Sequence, residues 1–145
     1  MTTVTRSRGF GDETQRRILL GTFALSIGYQ DEYYGKAIRV RELVRADFRR
    51  VFAGCDLLLS PTSPVAAFPL GSHVEDPLAM SLCDALTVPA SLAGMPALSQ
   101  PCGFTADGRP IGLQWMAAPS REDLLLQAAH VFERHTAHLR TRALP

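Results

Sequence analysis

The sequence predicts an α/β fold, a mixed sheet flanked by helices, of which this chain supplies an incomplete part. Three observations predict it. Apolar residues recur at helical spacing towards both ends of the chain, three short β-type runs lie between them, and three strands are few for so many apolar helix faces. With 145 residues, 46% hydrophobic and 20% charged, the chain has the size and composition of one ordinary domain with a core of its own.

Residues 1–11 contain two glycines and little apolar content, and are expected to be an extended or loop lead-in. From Asp12 the pattern turns helical. Leu20, Phe23, Ala24 and Ile27 share one face, while Asp12 and Glu13 place negative charge where a helix N-terminus favours it. Gly28 and Tyr29 are expected to end this helix. A second helix is predicted from about Asp31 to Phe52, with Ala37, Val40, Leu43, Val44, Phe48, Val51 and Phe52 in one apolar stripe. Its other face carries Lys36, Arg39, Arg41, Arg45, Arg49 and Arg50 and reads as solvated. Tyr29, Tyr33 and Tyr34, at the junction of the two helices, suit either a binding wall or core packing.

Gly54 closes the second helix, and residues 55–60 read as a short buried strand ended by Pro61 and Pro64, with a proline-rich loop on to about Pro77. The stretch from Leu78 to Leu92 is apolar but interrupted by Pro89, so a short helix ending near Thr87 is expected. Ala97 to Phe104 and Pro110 to Ala117 form two strands joined by Ala106-Asp107-Gly108, whose Asp-Gly pair signals a hairpin turn. Finally, Ser120-Arg121-Glu122-Asp123 reads as a capping box opening an amphipathic helix with Leu124, Leu125, Ala128, Val131 and Phe132.

Several function classes find no support. The net charge of +1 provides no field for nucleic acid or a membrane surface, and no run of about 18 apolar residues exists. Residues 1–11 lack the apolar segment of a secretory signal. Cys55, Cys83 and Cys102 are odd in number and share no C-x-x-C spacing, which fits reduced thiols in a cytoplasmic protein. His130, His135 and His138 do not share the line that H-E-x-x-H requires, and His73 stands apart, so no metal site is expected. The eleven glycines never occur in pairs, which leaves no Gly-rich phosphate loop, and no serine sits in a G-x-S-x-G elbow. No residue of this chain is expected to be catalytic.

Six ordered blocks carry a resemblance. They are residues 16–26 (RRILLGTFALS) with 28–34 (GYQDEYY), Val40-Arg41 with Asp47-Phe48, residues 60–64 (SPTSP), residues 84–99 (DALTVPASLAGMPALS), residues 101–104 (PCGF), and residues 110–114 (PIGLQ). From about Thr5 onward the chain resembles the C-terminal portion of the amidase-signature family, most of all its tRNA-dependent amidotransferase members. The resemblance implies a serine nucleophile, a second serine and a lysine in an N-terminal half whose Gly/Ser-rich signature this sequence lacks. Lys36, the only lysine, is not assigned that role.

What the resemblance places here is the other wall of a glutamine pocket, with Arg17, or its neighbour Arg16 as the alternative, holding the α-carboxylate and Asp84 the α-ammonium. Guanidinium and carboxylate suit those ends chemically. It further implies partners: the missing N-terminal half of the amidase, subunits B and C, glutamine as substrate, and tRNA met only through the complex. No cofactor is expected in this chain, with ATP and Mg used by the parent complex. Two alternatives stand beside this reading, a portion of a general amidase acting on small amides and a non-catalytic truncated interaction module.

Overall fold

The computed structural model describes residues 4, 8–26, 33–72 and 76–136, which fall into two units, Met1–Leu43 and Val44–Pro145.

In the first unit, Val4, Arg8 and Gly9 are helical where extended backbone was expected. The absence of an apolar stripe does not distinguish loop from exposed helix, and arginine is a good helix former. Helix α1 spans Asp12–Ala24 behind an extended Gly11, with Asp12 and Glu13 in its first turn. It ends at Ala24: Leu25 N–H makes a last helical bond to Gly21 O, but Ser26 N–H tightens onto the Phe23 carbonyl at 3.0 Å, and Ser26 Oγ donates to the same carbonyl at 2.7 Å. Ile27, Gly28 and Tyr29 lie outside the described residues. No α1 residue is buried, and Ile18, Leu19, Leu20 and Phe23 are exposed. Helix α2 spans Gly35–Phe52 and follows Tyr33 and Tyr34, both about half exposed rather than packed in a core. The boundary between the units falls inside α2.

The second unit is built on a three-stranded antiparallel sheet in the order β1-β3-β2, with β1 Leu57–Pro61, β2 Ala97–Phe104 and β3 Pro110–Ala117. The β2–β3 hairpin has the predicted bounds. Its turn works because Gly108 takes φ 83°, a conformation that costs glycine nothing, and because Thr105 Oγ1 accepts from Arg109 N–H at 2.9 Å. Cys102 is the extra residue of a bulge between Pro101 and Gly103.

Side chains alternate across the sheet, so its two faces collect different partners. On one face Met116 and Leu58 pack with Ala90, Ala93 and Met95 and with Val44, Phe48 and Phe52 of α2. On the other, Trp115, Ala117, Leu57, Leu98 and Leu113 pack against Leu125, Ala128 and Phe132 of α5, Glu122–His135. The Trp115 and Phe132 rings meet edge to face at 5.8 Å. With its amide oriented by the hydrogen-bond network, Gln100 accepts from Trp115 Nε1 at 3.2 Å and donates to Ala129 O at 3.3 Å, tying strand to helix.

The structure corrects four further expectations. Residues 55–60 were expected to form a buried strand, but β1 begins at Leu57 and is an edge, with Leu59 exposed. The single helix expected to end near Thr87 is two: α3, Pro77–Cys83, and α4, Val88–Ala93. Pro89 opens α4 in its first turn, where a missing N–H is harmless, and Asp76 Oδ1 caps α3 by accepting from Leu78 and Ala79 N–H at 3.0 and 2.9 Å. The capping box at Ser120 does not form; Ser120 adopts φ 64°, Arg121 takes the cap position without a side-chain cap bond, and the Leu124 backbone N–H, ahead of Arg121, holds the Asp123 carboxyl below the usual range. Arg45 does not belong to a solvated basic face. Its Nε donates at 3.1 Å to Ala93 O, one of the last carbonyls of α4, which ends in the left-handed Gly94.

Candidate functional site

The two sequence-predicted site residues lie in different units. Arg17 is on α1, one turn after Glu13, and its Nε donates to Glu13 Oε1 at 2.8 Å. Arg16 grips the same carboxylate with two atoms, Nε to Oε2 at 2.7 Å and Nη2 to Oε1 at 2.9 Å. The guanidinium of Arg16, and then that of Arg17, hold the Glu13 carboxyl down to about 2. The two arginines are therefore not equivalent. Among the described residues, both terminal NH₂ groups of Arg17 lack a protein partner, so its end-on fork remains open to a second carboxylate.

Asp84 caps the C-terminus of α3 in the turn that leads into α4. Its backbone is tightly used: its N–H donates to Ser81 O at 3.3 Å, and its carbonyl accepts from Thr87 N–H and Val88 N–H, both at 3.0 Å, and from Thr87 Oγ1 at 3.2 Å. Its side chain is different. The residue is exposed, and among the described residues the carboxylate has no hydrogen bond or ion pair. An acid at a helix C-terminus gains nothing from the dipole of that helix.

Next to this turn the sheet carries a row of polar side chains that sequence reasoning did not single out. Ser60, Gln114 and Ser99 are directly opposed across β1, β3 and β2. Gln114 is only 3% exposed, and its Nε2 donates to Ser60 Oγ at 3.1 Å and to Leu86 O, in the α3–α4 turn, at 2.9 Å. Two residues along, Thr62 Oγ1 and Ser99 Oγ are 2.7 Å apart. They approach over Gly112, where a Cβ would meet Thr62 Oγ1 at 2.8 Å and Thr62 Cβ at 3.1 Å. A cleft of about 520 Å³ opens at this end of the sheet, lined by Thr62, Ser63, Ser99 and Thr105 with Pro61 and Pro64. Arg109 braces its rim: it donates to Ala67 O and pairs at 2.8 Å with Asp107, whose carboxyl it holds below the usual range. The signal in the sequence was a single one, a glutamine at a core-facing position within the apolar run 111–117.

The glycine gives a direct test. In an enzyme carrying this segment, Gly112→Ala should destabilise by about 1–3 kcal/mol, the usual cost of overpacking a filled site. Thr62→Ala in the same background should restore part of the loss. Denaturation midpoints would report it; an unchanged midpoint for Gly112→Ala would mean that the strands part freely there.

The remaining candidates do not assemble into a centre. Cys55, Cys83 and Cys102 are free and half-buried, each donating to a nearby backbone carbonyl. His130 and His135 are exposed, and His73 and His138 lie outside the described residues. Among the described residues, no three His, Cys, Asp or Glu side chains are gathered as metal ligands, and no helix is long and apolar enough to cross a membrane.

Comparison with known proteins connects the whole stretch. The model of the Amidase family matches residues 1–126. The A subunit of a glutamyl-tRNA(Gln) amidotransferase from Synechococcus sp. (strain RCC307) is 59% identical over 92% of this chain and 28% of its own length. Its counterpart from Picosynechococcus sp. is 56% identical over 94% of this chain, again 28% of that protein. The chain thus spans little more than a quarter of the relatives it matches. Among solved structures, the A subunit of the glutamyl-tRNA(Gln) amidotransferase from Thermotoga maritima superposes with a TM-score of 0.59 at 43% identity, over 81% of this chain and 26% of that one. A 6-aminohexanoate cyclic dimer hydrolase superposes with a TM-score of 0.60 at 32% identity, over 74% and 23%. By its ordered sequence blocks and by its fold alike, the chain belongs to the amidase family.

Proposed function

We propose that this chain is the C-terminal portion of the glutaminase subunit of a Glu-tRNA(Gln) amidotransferase, lining the pocket in which glutamine gives up ammonia. The observation that carries the reading is the 59% identity to an amidotransferase A subunit over 92% of the chain, against 28% of that relative's length. Arg17 holds the α-carboxylate of glutamine through terminal NH₂ groups that have no partner among the described residues, and Asp84 holds the α-ammonium through a carboxylate unpaired among the same residues. The nucleophilic serine, its partner serine and the lysine belong to the N-terminal half, so this chain alone does no chemistry. Subunits B and C complete the complex in the cytoplasm, where tRNA meets only the assembly, and ATP with Mg activates the tRNA-bound glutamate on a partner subunit. A second reading, a portion of a general amide hydrolase, draws on the likeness to the cyclic dimer hydrolase, but a plain amidase has no α-carboxylate for Arg17 to hold.

The exposed apolar residues of α1 and the unpaired outer edges of β1 and β2 among the described residues support the larger-body part of this reading. Produced alone, the chain should self-associate; co-produced with the N-terminal remainder of an amidotransferase A subunit, it should form a monodisperse complex that releases ammonia from glutamine. Sedimentation and an ammonia assay check both. A compact monomer with a sharp cooperative melt from the chain alone, together with no activity on co-production, would sink the proposal.

A further inference from the structure

We infer that Gln114 is a positioning residue for the ammonium end of the substrate, acting through the α3–α4 turn on which Asp84 stands; this rests on the role given to Asp84 above. The exposed Asp84 carboxylate has no protein partner among the described residues, so its place is set by the backbone beneath it. That backbone is one closed turn, joined internally by the bonds from Thr87 and Val88 N–H to Asp84 O. Leu86 belongs to the same turn, and its carbonyl accepts the 2.9 Å bond from Gln114 Nε2. The turn is thereby anchored to the central strand of the sheet.

The anchor is stiff for a chemical reason. An amide nitrogen has two N–H donors, and Gln114 engages both, one on Leu86 O and one on Ser60 Oγ, at a position only 3% exposed. Rotation of the side chain would break both bonds in a place that water scarcely reaches. Replacing the amide with an apolar group of similar volume fills the space but releases the turn, and Asp84 then meets the substrate from a distribution of positions rather than from one.

The test uses the full-length enzyme in its complex and two amides, glutamine and 4-carbamoylbutanoate, which keeps the carboxylate and the amide but lacks the α-ammonium. Gln114→Met should raise KM for glutamine about tenfold with kcat within about threefold of the parent, the size of effect expected for one buried hydrogen bond, while kcat/KM for 4-carbamoylbutanoate stays within about threefold. Gln114→Asn keeps the amide but is one methylene too short to reach Leu86, and should move in the same direction. Asp84→Ala is measured alongside. Equal losses on both amides, or no change in KM for glutamine while Asp84→Ala remains selective for it, would overturn the positioning role and leave Asp84 in place. An Asp84→Ala enzyme that does not discriminate the amides removes both assignments. Failure of both Gln114 variants to fold would assign the bond to the fold alone, and would likewise overturn the inference.

Discussion

Purified on its own, the 145-residue chain should release no ammonia from glutamine or from simple amides above the buffer blank. Removing the nucleophile and its base from a triad-type enzyme costs about six powers of ten in turnover, and under the proposed reading the donors that stabilise the oxyanion are lost with them. The half-buried thiols of Cys55, Cys83 and Cys102 provide no substitute, since each hydrogen-bonds to a carbonyl rather than to a base. A coupled ammonia assay at high protein concentration is the measurement. Turnover that persists through repurification and vanishes when a serine or cysteine of this chain is mutated would overturn the reading.

The second large effect is expected in the complete enzyme. Arg17→Ala and Asp84→Ala should each lower kcat/KM for glutamine on the order of 10²-fold or more, because each leaves one charged end of a closed-in amino acid without its counter-charge. Stability should change far less, since Arg17 is exposed and contributes one bond to the exposed Glu13 and the Asp84 carboxylate makes no bond among the described residues. The losses should follow the ligand's charges: an amide without an α-carboxylate should be nearly indifferent to Arg17→Ala. Glutamine turnover within about threefold of the parent in both variants would show the assignment to be wrong. Loss with Arg16→Ala instead would move the carboxylate contact by one residue, against the bidentate engagement of Arg16 by Glu13.

The parts of this fold legible in the sequence are those set by local chemistry. The bounds of the β2–β3 hairpin could be read to the residue because the Asp-Gly turn signal fixes where the two β-type runs meet, whereas the bulge at Cys102 that shifts their register leaves no such mark. The α5 stripe was equally plain, although its cap was not: Ser120 and Glu122-Asp123 have the right residue types, but the chain arrives from β3 with Ser120 in a left-handed conformation that cannot present its hydroxyl to the helix. A proline in an apolar run such as Pro89 has two meanings, end of one helix or first turn of the next, and only the Asp84–Thr87 turn separates them. Arg45 was indistinguishable from its solvated neighbours until α4 placed a carbonyl beside it. Gly112 and the Thr62–Ser99 pair were illegible for a related reason, and Gln114 showed only as a polar residue in an apolar run: their importance lies in contacts between positions 28 to 54 residues apart, and nothing local names the partners.

The order β1-β3-β2 also sets a timetable. The hairpin partners Phe104 and Pro110 are neighbours in the chain and close quickly, whereas Leu57 pairs with Ala117, sixty residues later. A ribosome adds roughly 5–20 residues per second, so the apolar triplet Leu57-Leu58-Leu59 is made several seconds before the strand that covers it exists. During that interval β1 is a single sticky strand on a nascent chain, and whatever shields it there, a chaperone or an earlier-made part of the same polypeptide, determines how much of the product reaches the folded state.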